Sequence, residues 1–162
     1  MSKISAYKDY LKKTDSLYNK NNCSVFWGNI PSHIFDLMFL SKYRGKSFFD
    51  IGCGAGQTLY LANLLGLKNI SGLEIDKELV NKCSENGFHV INECVTKTDF
   101  NYLNKYDVVY FYCFIKDEKL KEIILDKICE NMSINSVINT KLCDINNDDF
   151  LKISENLYQK IK

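Results

Sequence analysis

Three glycines at alternate positions, Gly52, Gly54 and Gly56, directly follow one short apolar run and precede a longer one. That arrangement leaves few local folds open. The preceding residues, Ser47 to Ile51, include Phe48, Phe49 and Ile51 and predict a short buried strand carrying one acid, Asp50. The following segment, Gln57 to Leu65, is apolar and long enough for a helix, with Gly66 as a stop just past it. Strand, tight turn and helix in this order aim the free amides of the helix start at the turn, where they attract a negative group. Glycines let a ligand approach the turn's backbone closely. The spacing also excludes two common loops. A dinucleotide fingerprint needs Gly-x-Gly-x-x-Gly, but Gln57 stands where its last glycine belongs, and the Gly-Lys-Ser/Thr of a P-loop is absent.

Acid-x-Gly-x-Gly-x-Gly after a strand, Asp50 to Gly56, resembles the first motif of the class I (Rossmann-like) S-adenosylmethionine (SAM)-dependent methyltransferases. Downstream, Asn69-Ile-Ser-Gly-Leu-Glu-Ile-Asp76 resembles that family's second strand. The resemblance implies an α/β fold: a doubly wound, mostly parallel sheet with N-terminal helices and a final antiparallel hairpin. It implies SAM as cofactor. The backbone at Gly52, Gly54 and Gly56 would run along its methionine part, with Asp50 orienting the ammonium end. Glu74 would accept hydrogen bonds from both ribose hydroxyls, as a carboxylate can. Glu93, with the amide of Cys94, would meet the adenine, although Asn92-Glu93 replaces the family's usual Gly-Asp. Asp99 is the weaker rival for that role. Cys53, Ile75 and Tyr112 complete the positions expected at the cofactor. Trp27 would lie on the ligand if the loop that carries it folds over the site; packing into the core explains it equally well.

Composition limits the alternatives. A chain of 162 residues suits one domain, read as a helical cap over 1–45 and an α/β core over 46–162. A net charge of +1 gives no global pull toward nucleic acid, and Arg44 is the only arginine. The seven cysteines are scattered with no Cys-x-x-Cys pair, and only His33 and His89 could join them. No metal site or disulfide framework is expected, and free thiols suit a cytoplasmic location. No apolar run reaches the length of a membrane span, and no signal peptide is seen.

Along the chain, Ile4, Tyr7, Leu11 and Tyr18 recur at helical spacing, with the lysines between them on a solvated face. Pro31-Ser32 opens a second helix through Ile34, Leu37, Met38 and Leu40. His33 on that helix is more readily structural than catalytic. Strands are expected at Ile70 to Ile75, Phe88 to Asn92, Asp107 to Phe114 and Ser136 to Leu142, with Asp76 and Asp117 as helix N-caps. The tail fits a helix through Phe150, Ile153, Leu157 and Ile161, or a hairpin turning at Ser154-Glu155-Asn156. The resembled fold favours the hairpin.

The methyl acceptor is expected beyond the fourth strand, at Tyr112-Cys113-Phe114-Ile115-Lys116. Members of the family that methylate base amino groups carry Asn/Asp-Pro-Pro-Tyr/Phe there, and this chain does not. Cys113 follows Tyr112 rather than proline and reads as a buried thiol. Phe26-Trp27-Gly28-Asn29-Ile30-Pro31-Ser32 and Asp50-Ile-Gly-Cys-Gly-Ala-Gly-Gln57 resemble segments of the non-SET lysine methyltransferases, with Tyr110 and Tyr112 as candidate walls of a lysine channel. Protein lysine is therefore the favoured acceptor. A small-molecule methyltransferase and a non-catalytic SAM-binding module acting through a partner are the alternatives. No catalytic base and no oligomeric state is named by the sequence.

Overall fold

The computed structural model describes residues 3–18 and 38–162. Helix α1 spans Lys3–Tyr18. Tyr7 is buried and Lys8, Lys12 and Lys13 are exposed, as the helical spacing predicts; Leu11 is half-buried, and Tyr10 and Thr14, outside that spacing, are buried as well. Trp27, His33 and the start of the second expected helix lie outside the described residues. Met38 and Leu40, assigned to that helix, sit in a short 3₁₀ turn, Met38–Tyr43.

From there strand and helix alternate. Strand β1 is Ser47–Ile51, α2 is Gln57–Leu65, β2 is Lys68–Glu74, α3 is Lys77–Glu85 and β3 is His89–Asn92. Strand β4 is Val108–Tyr112, α4 is Glu118–Asn131, β5 is Val137–Lys141, and β6 (Phe150–Ser154) and β7 (Leu157–Lys160) close the chain. The seven strands form one sheet in the order β3-β2-β1-β4-β5-β7-β6. The first five are parallel, and β7 is antiparallel to both β5 and β6. This is the doubly wound sheet with a final hairpin. Strand order reverses between β1 and β4, and at the carboxyl ends of such a switch point open α/β sheets bind ligands.

Alternation along each strand makes two cores. Phe48, Val108, Tyr110 and Val137 pack with Tyr7, Leu59 and Cys83 on one face. Phe49, Ile51, Val109, Phe111 and Ile138 pack with Ile124 and Ile128 of α4 on the other. At the amino ends of β1 and β4 the Asp107 carboxylate accepts from the Ser47 amide (2.9 Å) and hydroxyl (2.7 Å), which pins their register. The hairpin answers a need of the sheet edge. Leu157 pairs with Asn139 of β5, and the buried Lys160 ammonium donates to the carbonyls of Cys129 and Met132 at the end of α4. A helical tail would leave those carbonyls and the β5 edge without partners.

Candidate functional site

The glycine turn is held from below by β2. The amides of Gly52 and Cys53 both donate to the Leu73 carbonyl (2.8 and 2.9 Å). Gly52, Gly54 and Gly56 all adopt positive φ (80°, 55° and 79°), which other residues reach only with strain. Gly56 is the N-cap of α2 and supplies no side-chain acceptor, so the first amides of that helix have no side-chain cap.

Glu74 stands at the carboxyl end of β2 and is 5% exposed. One carboxylate oxygen, Oε2, accepts from the Gly54 amide at 2.9 Å. The other, Oε1, accepts from the amides of Ile75 (2.8 Å) and Asp76 (2.9 Å). Burial raises its pKa, and the three amide bonds oppose that rise. The sequence supplies no structural partner for this charge, but the fold supplies three backbone donors, so Glu74 also ties the glycine turn to β2. Beside it, Asp76 caps α3 by accepting from the Glu78 and Leu79 amides, the capping role expected of it. Ile75, 60% exposed, offers an apolar surface next to Glu74. The end of β3 closes this corner: Asn92 Nδ2 donates to the carbonyls of Glu74 and Ile75, and the Glu93 amide donates to Glu74 O. Glu93 and Cys94 follow, half-buried, at the rim.

Asp50 is 2% exposed in the middle of the sheet, paired with Gly72 on one side and Tyr110 on the other. Burial pushes its pKa up to about 8; the Thr58 hydroxyl works against that, and the charge of Glu74 adds to it. Helix α1 lies over this region. The Tyr10 hydroxyl donates to the Ala55 carbonyl at 2.7 Å, and its ring stacks on Tyr60 at 4.2 Å. Gln57 Nε2 donates to the Thr14 hydroxyl at 2.9 Å. The Tyr7 hydroxyl and Gln57 Oε1 are buried and make no hydrogen bond with the described residues.

On the other side of β1, β4 ends in half-buried Tyr112, buried Cys113 and exposed Phe114. A Cβ on Gly52 would lie 3.0 Å from the Phe114 ring, so the segment after β4 touches the glycine turn. Tyr110 packs into the core with Tyr7, which leaves Tyr112 as the tyrosine at the strand end.

The structure thus places Asp50, Gly52, Cys53, Gly54, Gly56, Glu74, Ile75, Glu93 and Tyr112 at or just past the carboxyl ends of the adjacent strands β1 to β4. Sequence reasoning missed Tyr7, Tyr10, Gln57 and Gly72. A Cβ at Gly72 would sit 2.8 Å from Cys53 Sγ and 3.0 Å from the Asp50 carbonyl. A glycine inside an otherwise apolar strand was the available signal for that close approach. The donor set fits SAM. Uncapped helix amides suit its carboxylate, and a buried carboxylate at Asp50 suits its ammonium. With two amides on Oε1 and one on Oε2, Glu74 has room for one hydroxyl, on Oε2, rather than the two expected from the sequence. The Tyr7 hydroxyl and Gln57 Oε1 are orphaned polar atoms beside the turn.

Comparison with known proteins bears on the family and the fold. A family model described as a methyltransferase domain matches residues 42–162. A ribosomal protein L11 methyltransferase of Aquifex aeolicus (strain VF5) is 41% identical over 49 residues, which is 29% of this chain and 20% of that protein. The match therefore spans a fifth of the curated relative's length. Among solved structures, HI0767 of Haemophilus influenzae superposes with a TM-score of 0.59 at 20% identity, over 82% of this chain and 97% of that one. The plantazolicin methyltransferase BpumL, solved with a desmethyl-plantazolicin analogue and SAH, gives 0.58 at 20% identity, over 80% of this chain and 51% of its own. The N-methyltransferase NodS of Bradyrhizobium japonicum WM9 gives 0.55 at 12% identity, over 67% and 65% of the two chains. At these identities the structural likeness is one of fold.

Proposed function

This chain belongs to the methyltransferase domain family, with the class I Rossmann-like fold of SAM-dependent enzymes, and from that premise we propose that it transfers the SAM methyl group to a lysine of a protein. The observation that carries the transfer reading is Glu74. Its carboxylate is fixed by the amides of Gly54, Ile75 and Asp76 at the carboxyl end of β2, beside a helix start with no side-chain cap. When bound, SAM supplies a methyl group activated on a sulfonium, so the protein's task is to position it and exclude water. Glu74 would hold a ribose hydroxyl on Oε2, and the turn and the first amides of α2 the carboxylate. Asp50 would face the ammonium, and Ile75, Glu93 and the Cys94 amide the adenine. Phe114 and Tyr112 would shield the methyl from bulk water on the β4 side.

The lysine acceptor is supported by what the β4 end presents. It offers aromatic groups, Tyr112 and Phe114, and lacks the amide and prolines that hold a base amino group. One curated relative is named for methylation of a protein, ribosomal protein L11. The test is incubation of the purified chain with methyl-labelled SAM and a cell extract. Label recovered as methyl-lysine after protein hydrolysis supports the reading. Label confined to small molecules moves the acceptor to that class. SAM binding without any transfer would make the chain a binding module instead.

A further inference from the structure

On the acceptor side of the switch point two thiols are brought together by a bend in the chain. Tyr112 is in register with Lys141, and the Cys113 amide donates to the Lys141 carbonyl at 2.9 Å, so Cys113 still runs beside β5. Strand β5 then breaks. Leu142 adopts a left-handed conformation (φ 65°) with its side chain 64% exposed, and the Thr140 hydroxyl donates to the Cys143 carbonyl at 2.7 Å. A left-handed conformation is strained for a leucine, and here it turns the chain so that Cys143 packs against the cluster holding Cys113. Cys143 packs against the apolar cluster that buries Cys113, so the two thiols are neighbours. Both are free thiols.

We propose that Cys113 and Cys143 form a reversible disulfide across the carboxyl ends of β4 and β5, with a hydroperoxide as oxidant, and that this bond slows methyl transfer by restraining the acceptor side. The effect on transfer rests on the function proposed above; the bond itself does not.

The two sulfurs are prepared for different parts of the reaction. The neighbouring Cys143 thiol, the Ile115 amide and the Lys121 cation lower the Cys113 pKa to about 7, against burial and the charge of Glu118. Cys113 beside it and burial push Cys143 up. Cys113 is therefore the thiolate and Cys143 the thiol that resolves it. The Cys113 sulfur attacks one peroxide oxygen; the S–O bond forms, the O–O bond breaks, and the departing oxygen takes a proton. The Cys143 sulfur then attacks the Cys113 sulfur. The S–S bond forms, the S–O bond breaks, and hydroxide leaves with the Cys143 proton as water. The sulfurs lose two electrons and the peroxide gains two. A dithiol reverses the change.

The chain carries its own control. Cys53 and Cys83 are a second neighbouring pair, as buried as Cys113, and Cys83 donates to the Gly54 carbonyl at 3.3 Å. The Cys83 thiol and burial push Cys53 well above the usual thiol range, so that pair offers no thiolate.

The test uses the full chain, reduced, desalted and treated with one equivalent of hydrogen peroxide. Intact mass should fall by two hydrogens, and peptide mapping should find Cys113 linked to Cys143. In Cys143→Ser, at a half-buried position, dimedone should label Cys113 as a sulfenic acid that the wild type does not accumulate. Cys113→Ser should give neither product. A Cys53–Cys83 link, or a Cys113 sulfenic acid persisting in the wild type, overturns the proposal. With the link formed, SAM affinity by calorimetry should be unchanged and transfer should drop by about tenfold to a hundredfold, the scale of small misplacements at a reacting centre. Equal transfer by the linked and reduced forms overturns the restraint. Failure of both forms to bind SAM counts against the proposed function instead, and leaves the link standing.

Discussion

The two halves of the site are built from different materials. At the ends of β1 and β2, Asp50 and Glu74 are buried carboxylates, and Glu74 is satisfied by backbone amides. At the ends of β4 and β5 the buried groups are uncharged: the Cys113 thiol, the Asn139 and Thr140 side chains and apolar residues. The acids there are exposed: Asp117 caps α4, and Asp144 pairs with Lys152 and accepts from Tyr158. Buried charge is costly without donors in place, so the first half is tied to one ligand chemistry by the path of its backbone. The second half has no such commitment, and its chemistry can change by replacing side chains on a fixed frame. A constant cofactor and a variable acceptor would produce this split.

The largest effect should come from Glu74→Ala. It removes the acceptor of three amides and, on the proposed reading, one ribose contact on Oε2. Hydrogen bonds to a charged group contribute roughly 1.5–3 kcal/mol each. SAM affinity by calorimetry should fall by about 10- to 100-fold, and the urea midpoint should fall with it. Glu74→Gln should lie between, since its amide nitrogen cannot accept from Gly54. A variant that loses affinity with unchanged stability would show that the amide bonds are incidental and that Glu74 acts on the ligand alone.

Gly72→Ala comes next, and it acts without touching any charged group. The added Cβ meets Cys53 Sγ at 2.8 Å and the Asp50 carbonyl at 3.0 Å. Backbone cannot yield as a side chain can, so the glycine turn must move. Overpacking of this kind costs about 1–3 kcal/mol, and affinity for SAM should drop at least several-fold. Tight binding retained in this variant would mean that the turn has slack and that its anchoring to β2 is unimportant.

The halves also differ in how much of them was legible in the sequence. Asp50, the alternate glycines, Glu74 and the Asp76 cap sit within one continuous strand-turn-helix-strand stretch, so local spacing was enough to place them. Tyr10 on Ala55 and Gln57 on Thr14 join residues more than forty positions apart, and no local pattern announces them. The Cys113–Cys143 contact depends on a left-handed Leu142, which nothing in its side chain predicts. The hairpin was ambiguous because the spacing of Leu157 and Ile161 suits either structure; the unpaired edge of β5 decides it. Lys160 had no visible role because its partners are carbonyls at the end of α4.

Asp50 gives the cofactor half a pH dependence. Its pKa in the folded chain is about 8, above the ordinary aspartate value, so folding takes up a proton. The stabilisation is complete below the unfolded pKa, near 4, and is lost as pH rises through about 8. Glu74, also raised, moves in the same direction. Urea unfolding at pH 5, 7 and 9 should show the wild type losing stability relative to Asp50→Asn as pH rises. Parallel curves would mean that Asp50 is already paired with a cation in the free protein, and the contrast with the β4 side would weaken.

The smallest expected effect is the sharpest test of the split, because it concerns an acid in the other half. Asp117 follows the acceptor segment directly, and its carboxylate accepts from the Leu120 amide at 2.9 Å as the N-cap of α4. Its side chain has one structural task, which Ser could also perform. Asp117→Ala should therefore cost about 1 kcal/mol, the usual value of an N-cap, and lower the melting temperature by about 2–4 °C in a chain of this size. Asp117→Ser should recover most of that loss. SAM affinity should be the same in all three proteins, because the cap lies on the β4 side and no cofactor contact is assigned to it. A fall in affinity comparable to that of Glu74→Ala, and not restored by Ser, would place a carboxylate contact to the cofactor on the β4 side. The two halves would then share the ligand rather than divide cofactor from acceptor.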